Sequence, residues 1–118
     1  MKVSDEETVR AGNKVTLTGR LSSQPVERVL PSGDCVVTFR LVMPREPSPM
    51  TAGSSQRSDW VDCCVWGGRV RRAAARWQVG DLVELEGALR RRFFRSGEGT
   101  STRVEVEVLA GRRRERAG

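Results

Sequence analysis

At 118 residues the chain is sized for one domain, long enough for a modest core without disulfides or metals. Its formal net charge is +6, from 21 Lys+Arg against 15 Asp+Glu, and it has no histidine. With no C-x-x-C either, a zinc site lacks ligands, and no segment approaches the ~20 apolar residues of a membrane helix. The charge is uneven. Residues 1–68 balance eight basic against eight acidic side chains, whereas residues 69–118 hold 13 Arg and 7 acids and so carry the whole excess. Clustered arginine points to a polyanion, most plainly nucleic acid. The bland reading is a solvated basic surface. Cys35, Cys63 and Cys64 read as free thiols, since strand neighbours point to opposite faces and cannot bridge. Free thiols, and a start bearing Asp5, Glu6 and Glu7 rather than a signal peptide, suit the cytoplasm.

Residues 1–12 are polar and expected to be a flexible N-terminus. Asn13 to Leu21 alternates, with Val15, Leu17, Gly19 and Leu21 against Lys14, Thr16, Thr18 and Arg20, which predicts a half-buried strand. Gly19 within it suggests a bulge or a sharp bend. Pro31-Ser32-Gly33-Asp34 is a turn, followed by a second strand from Cys35 to Val42. Residues 44–58, rich in Pro, Ser and Gly, are a loop long enough to be either disordered or functional.

The third strand is Ser58 to Trp66. Alternation puts Trp60, Asp62, Cys64 and Trp66 on one face and Val61, Cys63 and Val65 on the other. The small apolar set is the core face, so both indoles share a partly wet face with a carboxylate. Beyond Gly67-Gly68 the period changes: Val70, Ala73, Ala74 and Trp77 fit a short amphipathic helix that Gly80 ends. Trp77 belongs to its apolar stripe and is expected to seat the helix. Asp81 to Phe94 is a fourth strand, with Val83, Leu85, Gly87 and Leu89 on one row and Glu84, Glu86, Arg90, Arg92 and Phe94 on the other. Ser96 to Gly99 is a hairpin tip, and Thr102 to Val108 returns with Val104, Val106 and Val108 inward. The last residues, 111–118, read as an unstructured basic tail. The order β-β-β-α-β-β is that of a five-stranded OB-fold Greek-key barrel, with one helix between strands 3 and 4, spanning 13–110.

Trp60, Trp66 and Phe94 all fall on polar rows, and Arg90 and Arg92 share the row of Phe94. Rings beside guanidiniums suit a single nucleic-acid strand: unpaired bases expose faces that stack, and phosphates pair with Arg. A duplex would hide those faces, and no recognition helix is evident. The competing reading buries one or more rings in the core or an interface. Phe93, opposite Phe94, is assigned to core or interface. Catalysis finds no support: histidine is absent and no cysteine has a base partner.

Asn13-Lys14-Val15-Thr16-Leu17-Thr18-Gly19-Arg20-Leu21, Pro25-Val26-Glu27, Pro31-Ser32-Gly33, Thr38-Phe39-Arg40-Leu41, Trp60-Val61-Asp62-Cys63-Cys64-Val65-Trp66-Gly67, Gly80-Asp81-Leu82-Val83 and Glu86-Gly87-Ala88-Leu89-Arg90 stand in an order that resembles the bacterial single-stranded DNA-binding proteins. The resemblance runs from about residue 13 to 109. It implies an OB-fold subunit, usually a homotetramer, that wraps single-stranded DNA with little sequence preference; no cofactor or metal is expected. Trp60, Trp66 and Phe94 match base-stacking positions, and Arg90 and Arg92 match basic ones on the same hairpin strand. Arg40 and Lys14 complete the candidate nucleic-acid-binding set. Two departures stand out. The stretch Val42 to Ser48 lacks the further tryptophan often found there, and Met43 is a softer platform. The chain also closes on Arg112-Arg113-Arg114-Glu115-Arg116-Ala117-Gly118 rather than an acidic, aromatic tip, so it is a short form or part of a longer chain, with no recruitment of partners through such a tip expected. The alternative is an OB-fold protein-interaction module, of replication or primosome type, with weak DNA binding or none.

Overall fold

The computed structural model describes residues 10–118, so the expectation of a flexible N-terminus falls, for residues 1–9, outside the described part. The strands are β1 (Val15–Leu21), β2 (Val26–Val29), β3 (Cys35–Pro44) and β4 (Ser58–Val65), then β5 (Leu82–Ser96) and β6 (Gly99–Glu115), with helix α1 (Gly68–Ala74) between β4 and β5. The sheet runs β1-β5-β6-β4-β3-β2, and β1 also pairs with β3, which closes five strands into the OB-fold barrel. The β4–β6 contact is parallel and the others are antiparallel.

The alternating apolar residues form one core. Leu21, Val37, Phe39, Leu41, Cys63, Val65, Val83, Leu85, Val106 and Val108 fill the barrel, and Ala74 and Trp77 plug it, Trp77 from the turn beyond α1, which ends at Ala74 rather than running on to Gly80 as expected. The Trp77 indole meets the Phe39 ring edge-on, with centroids 5.7 Å apart and planes at 78°. Trp77 is thus the anchor expected of it. Gly80, at φ 91°, turns the chain from this plug into β5.

Gly19 lies where β1 passes from β5, through Arg20↔Leu82, to β3, through Arg20↔Val42. A Cβ there would collide with the Val42 carbonyl, so glycine permits the strand to cross its neighbour closely. The register shifts fall instead between β5 and β6, at Leu82/Val83 and Glu86/Gly87.

Three expectations need correction, and two open readings, those of Phe93 and of the 44–58 loop, narrow. A sixth strand exists: β2 hangs on the outer edge of β3, and all four of its residues are exposed, so it carries no alternating signature. The basic segment is not loose, because β6 continues to Glu115 and pairs with β5 back to Leu82. Its charges are met across the ladder, with Arg112 and Arg114 on Glu84, Arg113 on Asp81 and Arg20 on Glu115. Leu89 and Val104, placed inward by parity, are 47% and 42% exposed. The β5–β6 ladder outruns the barrel there, leaving an arm whose inner face has no opposing wall. Phe93, on that face, is 67% exposed and so is not core. The 44–58 loop is a tied structure: Arg45 N–H donates to the Arg57 carbonyl at 2.8 Å, and Thr51 Oγ1 accepts from Ser48 N–H at 2.8 Å.

Candidate nucleic-acid interface

The outer faces of β3, β4, β6 and β5 form one continuous surface, and the strand register fixes which side chains meet on it. Arg40 pairs with Asp62, Asp62 with Glu105, and Glu105 with Arg90, one from each strand in turn. One step toward the arm, Arg92 pairs with Arg103. Charged side chains fill this surface because it faces water, while the opposite faces of the same strands hold the core.

Trp60 stands on this surface, 56% exposed. The Arg40 guanidinium lies over its ring, 3.8 Å from the centroid, and donates to Asp62 Oδ1 at 3.2 Å. Arg103 reaches Asp62 at 3.9 Å and lies 4.6 Å from the Phe94 centroid. Arg92 lies over the same ring at 5.7 Å. The two rings therefore belong to one connected cluster, bridged by Arg40, Asp62 and Arg103. Trp66, half-buried just after β4, lines a separate groove of about 270 Å³ with Cys64, Arg90, Arg91, Arg92 and Glu107. Arg92 is common to both.

Of the expected binding residues, Trp60, Phe94, Arg40 and Arg92 come together, and Trp66 and Arg90 sit beside them. Lys14 does not join them: it pairs with Glu86 at 3.2 Å beside β1. Sequence reasoning missed Arg103, although its outward place opposite Arg92 would follow once the β5–β6 register was known. By parity Glu105, between the inward Val104 and Val106, falls on the outward row. Glu105 is 4% exposed, roofed by Arg92 and Arg103.

The chemistry available is stacking and ion pairing. Among the described residues no three His, Cys, Asp or Glu side chains gather in a way that could hold a metal ion. Burial, with the neighbouring Cys64, Asp62 and Glu105 adding to it, pushes the Cys63 thiol up to about 12. Burial and Glu105 push Cys64 to about 11, against opposing effects of Trp66 and Arg92. Both are protonated at neutral pH and are poor nucleophiles.

The single-strand binding protein family model matches residues 12–113. The chain is 31% identical over 99 residues to Single-stranded DNA-binding protein 3 of Listeria innocua, covering 83% of this chain and 59% of that protein. It is 32% identical over 101 residues to Single-stranded DNA-binding protein A of Bacillus subtilis, covering 82% and 57%. The corresponding protein of Thermotoga maritima is 34% identical over 98 residues, covering 83% and 69%. The chain thus spans less than two thirds of the length of the first two. In three dimensions it is similar to the SSB of Plasmodium falciparum in complex with ssDNA, with a TM-score of 0.73 at 22% identity over 89% of this chain and 95% of that one. That likeness concerns the barrel. With a family match across nearly all of the barrel and relatives above 30% identity, the chain belongs to the single-strand binding protein family.

Proposed function

We propose that the outer face of β3, β4, β6 and β5 binds single-stranded DNA with little sequence preference and without catalysis. Unpaired bases stack on Trp60, Trp66 and Phe94, while Arg40, Arg90, Arg92 and Arg103 meet phosphates. The observation that carries this reading is the exposed Trp60 indole, joined through Arg40, Asp62 and Arg103 to Phe94 on one open surface. Large rings held on a wet face by guanidiniums match what a flexible, unpaired strand offers. The names of the relatives point the same way. Lys14 stands apart on Glu86, and the face is proposed without it.

The protein works as a homo-oligomer, a tetramer or a dimer. Support comes from the reverse face of the arm, where Leu89, Phe93 and Val104 are exposed together on paired strands. Its setting is the cytoplasm, in DNA replication, repair and recombination, consistent with three free thiols. No helix among the described residues is long and apolar enough to cross a membrane.

Titrating the protein with oligo-dT while following tryptophan fluorescence tests the reading. Quenching that weakens as salt rises is expected, and no quenching at low salt overturns it. Light scattering with and without the oligonucleotide tests the assembly, and a monomer at all concentrations overturns that part.

A further inference from the structure

The four arginines that β3, β5 and β6 place on the aromatic face are each engaged by a carboxylate of the same face. Arg40 is held by Asp62 at 3.2 Å, Arg90 by Glu107 at 2.8 Å, Arg92 by Glu105 at 3.2 Å and Arg103 by Glu105 at 2.9 Å. Four positive charges thus face three negative ones, and the surface on which a polyanion would lie is nearly neutral. Glu105 is the centre of this arrangement. Its Oε1 accepts from Arg92 and its Oε2 from Arg103, and both guanidiniums lie over Phe94. A solvated surface acid could swing into water when a phosphate arrived. Glu105 cannot, because it is 4% exposed beneath the two side chains it holds. Burying a carboxylate carries a desolvation penalty that its partners must offset, so a pair of this kind is weak evidence for stability. Its effect falls on the ligand instead.

Resting on the reading above, we infer that Glu105, seconded by Asp62 and Glu107, is an internal counterion that governs how steeply strand binding depends on salt. A phosphate reaching Arg92 or Arg103 meets a guanidinium whose charge is already shared with a fixed carboxylate. Fewer solution counterions are released than the number of arginines implies, because the protein supplies part of its own. The rings then carry most of the affinity, and binding persists at salt that would strip a face of free arginines.

The test is Glu105→Gln, which removes the charge while keeping shape and an acceptor oxygen. Oligo-dT affinity is measured against salt for wild type and variant. The slope of log affinity against log salt should steepen by about 0.7 for each guanidinium released, so by about 0.7–1.4 for two. Binding should be tighter at low salt, and that advantage should shrink about 3- to 7-fold between about 50 and 200 mM. An unchanged slope overturns the inference, and so does weaker binding with an unchanged slope, which would make Glu105 a purely structural group. Asp34→Asn is the control: it changes net charge equally, but Asp34 contacts Ser32 in a turn and releases no guanidinium. Equal steepening there assigns the effect to total charge and also overturns the inference. If Glu105→Gln does not fold, Asp62→Asn and Glu107→Gln carry the same measurement through Arg40 and Arg90. A wild type that fails to quench removes the binding reading as well; a wild type that binds beside variants of unaltered slope removes this inference alone.

Discussion

The Arg40 guanidinium rests on the Trp60 indole at 3.8 Å, and the same guanidinium is anchored to Asp62 on the strand that carries Trp60. One face of the ring is backed by the protein's own cation, and more than half of the residue stays open to water. A ring held in this way presents a fixed platform without being part of the core.

Trp60→Ala should therefore weaken oligo-dT binding by about 1–3 kcal/mol and leave the fold intact. Fluorescence is unsuitable for the variant alone, so anisotropy of a labelled oligonucleotide reads affinity and thermal unfolding reads stability. A variant that melts far below wild type would make Trp60 a structural residue.

Asp81 is a buried carboxylate tied into the backbone at the start of β5. It is 2% exposed, accepts N–H bonds from Gln78 at 2.9 Å and Ala117 at 2.8 Å, and faces Arg113 at 3.6 Å. Burial pushes its carboxyl up, but the N–H donors of Ala117 and Gln78 and the Arg113 charge outweigh burial and hold it below its ordinary value. A carboxyl depressed in the folded state stabilises above its unfolded pKa of about 3.9, and that contribution fades as pH falls through the folded value. Asp81→Ala should cost about 2–4 kcal/mol at pH 7. The gap in melting temperature between wild type and variant should narrow only below about pH 4, and a gap independent of pH contradicts this assignment.

Gly87 sits at the register shift of the β5–β6 ladder, and a Cβ there would run into the Glu107 carbonyl of the paired strand. The obstruction is backbone, which cannot rotate away. Gly87→Ala should destabilise by about 3 kcal/mol, read by urea unfolding. A change below half a kilocalorie, which is within the usual surface range of about 0.5 kcal/mol, would mean the bulge relaxes freely.

The cysteines should separate by reactivity. Cys63 and Cys64 are buried with thiols pushed up to about 12 and about 11, while Cys35 is partly exposed. Iodoacetamide at about pH 8 should label Cys35 first and reach the other two only on denaturation, as mass spectrometry would show. Rapid native labelling of Cys64 would show that the Trp66 groove opens.

The barrel and its main platform were legible because strand parity is a local property. Val61, Cys63 and Val65 against Trp60, Asp62 and Cys64 identified an exposed indole before any fold was known, and i, i+7 spacing did the same for Trp77 as a plug. Parity has no knowledge of where a barrel ends, so Leu89 and Val104 read as core although they lie on the arm. Val26 to Val29 carries no periodic signal because nothing covers either face. Arg103 and Glu105 owe their importance to cross-strand register, which a bulge at Glu86/Gly87 shifts and no single strand records. The basic C-terminal run looked solvated because Asp81 and Glu84, which hold it, lie far from it in sequence.

The Asp81 clasp on Ala117 also sets a direction. β5 begins beside Asp81 and carries Phe94 near its other end, beyond the part that closes the barrel. A dye or affinity handle attached after Gly118 would leave from the base of the barrel, remote from the rings. Such a reporter would stay clear of the surface proposed to bind single strands.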